Sequence, residues 1–193
     1  MDNLADINDE ASKIRMELIE GKVVMMSPRP RIEHARACGR IYRQFGNYLD
    51  GKCCEAFGDD VDVYIDEQNH FIPDVMIVCN PDIIKDDAIY GAPDLVVEVL
   101  SPSTSKNDRT TKKDVYERAG VKEYWLVDTW GKSIEVYLLK QGRLTLDETY
   151  HYYTDEQKAK NAKLPENRQE IIRDEIKISL YEDFIVKLKD IFK

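Results

Sequence analysis

A chain of 193 residues with 42% hydrophobic and 34% charged residues is long enough to bury one real core and has the balance of a single globular domain. Its 28 Lys and Arg against 37 Asp and Glu leave a net charge of −9, which speaks against a constitutive nucleic-acid binder. It leaves room for an enzyme that meets a phosphodiester through a local basic patch and bound cations, while the lack of any apolar stretch long enough to cross a bilayer excludes a membrane-spanning class.

The opening Met1-Asp2-Asn3-Leu4-Ala5-Asp6 is acidic and lacks the basic-then-apolar order of a secretory signal, so cytoplasmic residence is expected. Met16-Glu17-Leu18-Ile19 and Lys22-Val23-Val24-Met25-Met26 flank Glu20-Gly21 and predict a compact hairpin, closed by Pro28 and Pro30. From Arg31 to Asp50 the apolar residues Ile32, Ala35, Cys38, Ile41, Phe45, Tyr48 and Leu49 recur at helical spacing, and Gly51 supplies the stop. Short strands follow at 54–57, 61–65 and 72–78, with a polar turn at 66–69, and are read as a meander. A loop from Asn80 to Pro93 leads to the apolar run Leu95-Val96-Val97-Glu98-Val99-Leu100. Ser101-Pro102-Ser103-Thr104-Ser105 ends that strand, and a helix runs on to Ala119-Gly120. Strands at 124–128 and 134–139 enclose the turn Thr129-Trp130-Gly131-Lys132, so strand, helix and strand form a crossover in one sheet. Residues 144–153 are compatible with another strand, 154–169 read as a surface loop, and Ile176, Ile178 and 181–185 as a last strand and a terminal helix. Cys53 and Cys54 are adjacent while Cys38 and Cys79 stand alone, a spacing of neither a disulfide framework nor a zinc knuckle, so free thiols are expected.

Glu98 is the residue that carries chemistry. A carboxylate inside a strand buried on both faces needs a partner, and Ile72-Pro73-Asp74-Val75-Met76-Ile77-Val78 brings a second acid inward in the same way. A third group comes from the following helix. At about 100° per residue, Lys112 falls between Val115, Tyr116 and Ala119, in the middle of the apolar stripe, while Lys113 falls on the solvent side. Two carboxylates and a lysine at the edge of a sheet are what metal-dependent phosphodiester hydrolysis requires: hard oxygen ligands for Mg²⁺, and a cation to orient water or balance developing charge.

Pro73-Asp74, Glu98-Val99-Leu100, the helix with Lys112, and the stretch Tyr116-Glu117-Arg118-Ala119-Gly120-Val121-Lys122-Glu123-Tyr124-Trp125-Leu126-Val127-Asp128 resemble the PD-(D/E)XK nuclease superfamily. Within it they resemble the Uma-type restriction-endonuclease family. The likeness runs from about Met16 to Leu139 and is most specific between Pro93 and Asp128. One departure is Leu100, which stands where the superfamily places its lysine; Lys112 matches the position that the Uma-type variant uses instead. The resemblance implies an α/β fold, a restriction-endonuclease-like mixed sheet flanked by helices with an N-terminal hairpin. It also implies a homodimer and a divalent-metal nuclease site with a nucleic-acid substrate, DNA before RNA. One domain over 1–193 is expected, its core at about 16–140 and an extension at 141–193.

The expected site has Asp74, Glu98 and the Val99 carbonyl on Mg²⁺ or Mn²⁺ and Lys112 assisting the attacking water. Glu17, His34 and Tyr116 are auxiliary candidates: Glu17 as a third acid or an exposed hairpin residue, His34 as a phosphate contact or a packing residue. The alternatives are an Asp74 satisfied by backbone donors at a strand end, a structural ion pair of Glu98 with Lys112 or Arg109, and a solvated helix face or a local basic patch formed by Lys106, Arg109, Lys112 and Lys113. Tyr124, Trp125 and Trp130 read as core and turn residues. At the level of function the alternatives are a catalytically silent module that binds nucleic acid or protein, and an acid hydrolase that uses Asp74 and Glu98 without metal.

Overall fold

The computed structural model describes residues 15–26 and 31–192; the acidic opening segment and the prolines at 28 and 30 lie outside the described residues. The hairpin forms as β1 (Met16–Ile19) and β2 (Lys22–Met25). Its turn residues Glu20 and Gly21 both take positive φ, 47° and 74°, the backbone twist that two-residue hairpins favour. Helix α1 (Ile32–Leu49) buries Ala37, Cys38, Ile41, Phe45 and Leu49 along one stripe.

The strands between α1 and residue 99 divide between two sheets. β3 (Glu55–Phe57), β6 (Val75–Val78) and β8 (Leu95–Val99) enter a six-stranded sheet. β4 (Val63–Asp66), β5 (Asn69–Phe71) and β7 (Ile89–Tyr90) join the hairpin in a five-stranded one. The expected meander is therefore corrected: the β4–β5 hairpin leaves the main sheet to pair with β1 through Leu18 and His70. The next helix, α2, starts at Ser105–Asn107, passes through a π-helical turn at Asp108–Lys112 and continues as Lys113–Ala119. It leads into β9 (Glu123–Asp128), which pairs parallel with β8, so the expected crossover is present. β10 (Ser133–Lys140) and β11 (Arg143–His151) complete the main sheet in the order β11-β10-β9-β8-β6-β3.

Strand periodicity decides what each face of this sheet meets. Leu95, Val97 and Val99 of β8 face a core shared with Val75, Ile77, Trp125, Val127 and the buried stripe of α1. Val96, with Tyr124 and Leu126, faces the opposite core, made with Val115 and Tyr116 of α2 and with Ile19 and Phe71 of the smaller sheet. Glu98, two residues on from Val96, projects to this second side, between α2 and the hairpin.

Three further expectations are corrected. Residues 155–161 form a helix, α3 (Asp155–Asn161), whose first turn is closed by a capping box between Thr154 and Gln157, so this stretch is not the expected loop. At the C-terminus β12 (Glu175–Lys177) pairs with β13 (Ile185–Lys187), and the terminal helix is confined to α4 (Leu188–Ile191). The thiols are not all free: Cys54 and Cys79 form a disulfide, while Cys38 and Cys53 are free. The register explains the pair, because β3 and β6 place Glu55 opposite Val78 and the next pair outward is Cys54 and Cys79. Among the described residues no helix is long and apolar enough to cross a membrane.

Candidate active site

Four elements converge on one cavity of about 290 Å³ beside the ends of β6 and β8. β1 contributes Glu17, the start of β6 Asp74, β8 Glu98 and the Val99 backbone, and α2 Asp108 and Lys112; all line the cavity, as does His34 from the first turn of α1. Glu17, Asp74, Glu98, Asp108 and Lys112 are all buried. Three of these carboxylates, Glu17, Glu98 and Asp108, face one lysine ammonium.

Lys112 is the hub. Its Nζ lies 2.7 Å from Glu98 Oε1 and 2.9 Å from Glu17 Oε1, with Asp108 Oδ1 at 3.7 Å, beyond hydrogen-bonding reach. The Tyr116 hydroxyl donates to the same Glu98 Oε1 at 3.1 Å. Glu17 Oε1 also accepts from the Ile72 backbone N–H at 3.0 Å, which ties the hairpin to the segment leading into β6. Burial alone would push the Lys112 ammonium down, but Glu98, Glu17 and Asp108 outweigh it and hold the group well above its ordinary value. Glu98 responds the other way: burial raises its carboxyl well above the usual range, Lys112 pulls it back only in part, and Asp108, Asp74 and Glu17 add to the rise. Burial lifts Asp108 as well, against the pull of Lys112 and a hydrogen bond from Thr104. One lysine is too little positive charge for this cluster.

Asp74 forms a second focus. Its Oδ2 accepts from the Val99 N–H at 2.7 Å and lies 3.4 Å from His34 Nε2. The other imidazole nitrogen is 3.4 Å from Cys38 Sγ. Burial works against the imidazolium, yet Asp74, Asp59 and the Val99 backbone raise the His34 pKa overall. Asp74 is thus fixed by a backbone donor on β8 and a side chain on α1, which locks the two strand ends together.

The predicted residues are therefore gathered, in two connected groups. Glu98, Lys112 and Tyr116 meet directly, and of the two readings of Glu17 the exposed hairpin residue is excluded by its contact with Lys112. Arg109 is not a partner of Glu98, since its guanidinium reaches Glu135 on β10 at 2.7 and 2.9 Å. Of the four basic residues along α2, Lys106 and Arg109 are exposed, Lys112 is buried, and Lys113, expected to face solvent, is half-buried with its ammonium 5.1 Å from the centre of the Tyr137 ring, so the four do not form one solvated face. Tyr124 and Trp125 are core residues with no exposure. Sequence reasoning missed Asp108. It stands one turn before Lys112 and is all but inaccessible, and the Asp-x-x-x-Lys spacing was its only signal.

The carboxylates outnumber the ammonium, and Asp108 Oδ1 is buried without a hydrogen-bond partner, so the cluster offers the hard oxygen donors that a divalent cation takes. Among the described residues, the three ligand atoms that already lie close enough together to share one ion are those of Asp74, His34 and Cys38.

A family model described as "Uma2: Putative restriction endonuclease" matches residues 2–169. "Uncharacterized protein slr1290" of Synechocystis sp. is 33% identical over 131 residues, which are 67% of this chain and 68% of that one. The crystal structure of a protein from Anabaena variabilis, described as a putative nuclease belonging to DUF820, superposes with a TM-score of 0.63 at 19% identity, covering 95% of this chain and 96% of the other. That likeness shows the restriction-endonuclease-like fold.

Proposed function

We propose that this chain, which belongs to the Uma2 family, is a divalent-metal-dependent endonuclease acting on DNA. The observation that carries the reading is the excess of buried carboxylate around Lys112, in a cavity at the edge of a mixed sheet. Asp74 and Glu98 would hold the cation, with the Val99 carbonyl beside them and Glu17 and Asp108 adding negative charge. A bound Mg²⁺ or Mn²⁺ supplies Lewis-acid polarisation of a phosphoryl oxygen and lowers the pKa of its water.

The chain's own groups do the rest. Lys112 holds positive charge at the cavity floor, where it orients the attacking water and balances charge that develops on the phosphate. His34, whose imidazolium is opposed by burial and favoured by Asp74, with a net rise of its pKa, is placed at the cavity wall to exchange a proton. Arg15 and Arg31 line the same cavity; Arg15 is paired with Asp59 and Asp60, so Arg31 is the cation offered to a phosphate there. A homodimer, which would present two such sites, fits the exposed Val23 and Met25 on the edge strand β2. A cytoplasmic setting accords with a DNA substrate, with the Cys54–Cys79 bond as an exception to the usual reduced thiols there.

The test uses the protein and its Glu98→Ala variant with supercoiled plasmid, single-stranded oligonucleotide and RNA, in Mg²⁺ or Mn²⁺ and in chelator. Cleavage of DNA by the parent that requires metal and vanishes in a folded variant supports the reading. Parent and variant behaving alike would replace it with a catalytically silent nuclease-fold module.

A further inference from the structure

Trp130 is the feature that the nuclease site does not yet use. It is 73% exposed, more than any other aromatic residue among the exposed large side chains described. It also lines the same cavity as Asp74, Glu98 and Lys112. An indole left in water beside a polar cavity makes no contribution to the core, since the tryptophan that packs there is Trp125, which has no exposure.

The turn between β9 and β10 holds Trp130 out. Asp128 Oδ1 accepts from the Trp130 N–H at 2.8 Å and from the Gly131 N–H at 3.1 Å. A Cβ at Gly131 would lie 2.8 Å from Asp128 Oδ2, so a larger residue there would push the carboxylate out of its place over the turn. Lys132 follows with φ of 48°. The Arg31 guanidinium lies over one face of the indole, 5.0 Å from the ring centre, and the 73% exposure of Trp130 leaves the rest of the ring open. An exposed aromatic face beside a cation is the pairing that binds unstacked bases and the phosphates between them. Trp130 shares this cavity of about 290 Å³ with the site residues, and a base can lie flat on an indole only when it is unstacked from its neighbours.

We propose that Trp130 stacks on an unpaired base next to the scissile phosphate, with Arg31 on the adjoining backbone, so that the site takes single-stranded or locally opened DNA in preference to intact duplex. This rests on the nuclease reading for the position of the phosphate and adds to it the substrate class. Trp130 here is a binding and specificity residue, not part of the hydrolytic chemistry.

The chain has two tryptophans, and one is sealed in the core, so quenching of its fluorescence reports on Trp130. The probes are phosphorothioate-linked oligothymidine, single-stranded or annealed to phosphorothioate-linked oligodeoxyadenosine, titrated into the parent, Trp130→Ala and Trp130→Phe in Mg²⁺. Binding by Trp130→Ala and Trp130→Phe is read by anisotropy of a labelled probe. The expected result is saturable quenching of the parent by the single strand, binding about tenfold weaker in Trp130→Ala, near-parental binding in Trp130→Phe, and weaker binding of the duplex. Single-strand binding without quenching, equal affinity of Trp130→Ala and parent, or no binding of the single strand would overturn the proposal. Metal-dependent plasmid or oligonucleotide cleavage, scored separately against Glu98→Ala, keeps the two readings apart: cleavage with no role for Trp130 sinks the stacking alone, and stacking without cleavage sinks the nuclease alone.

Discussion

Lys112 is held between carboxylates at 2.7 and 2.9 Å with 3% of its side chain accessible, so its removal leaves Glu17, Glu98 and Asp108 buried with no counter-charge. Breaking a buried pair from one side costs about 3–5 kcal/mol, mostly because the abandoned charge stays desolvated. Lys112→Met should therefore lower thermal stability by that order in chelator, and by much less at saturating Mg²⁺, since a cation can take up the orphaned charge. A melting-temperature loss that Mg²⁺ leaves unchanged would mean that the carboxylates do not share a cation site. Glu98 and Lys112 were legible in the sequence because each violates its surroundings, an acid in an apolar strand and a lysine in an apolar stripe. Asp108 was not, because an acid in the first turns of a helix is ordinary until its burial is seen.

At the level of elements, α2 carries Lys112, Asp108 and Tyr116 and has to end at a defined point for β9 to pair parallel with β8. Gly120 makes that end, with φ of 86° and its N–H bonded back to Glu117 and Tyr116 carbonyls. Gly120→Ala places a Cβ in the left-handed region and should cost about 1 kcal/mol of stability, measured by denaturant unfolding; a neutral effect would mean that the turn relaxes without consequence to the helix. The wheel reading of α2 places Lys112 with the buried Val115 and Tyr116 because those two lie C-terminal to the π-helical turn, in regular helix, but it misplaces Lys113, which is half-buried. The same wheel run toward the N-terminus would lose register at Asp108–Lys112. α3 was missed although Thr154 and Gln157 carry the capping-box spacing, because the segment has no apolar periodicity to announce a helix.

Across the whole molecule, two sheets and α2 enclose the cavity, and each supplies acid to it. The β8–α2–β9 unit was readable from local pattern, since crossover handedness and strand length constrain it. The transfer of β4 and β5 to the smaller sheet was not, because pairing Leu18 with His70 joins residues far apart in sequence with no local signal. That pairing is what brings Glu17 to Lys112 and completes the charge imbalance on which the functional reading rests. The most direct test is calorimetric titration of Mn²⁺ into the parent, Asp74→Asn and Glu98→Gln, each shown by circular dichroism to be folded. The account predicts saturable binding by the parent and its loss, or weakening by at least about tenfold, in both variants, as removal of one ligand charge from a hard-cation site requires. A parent that binds no cation, or variants that bind as the parent does, would contradict it.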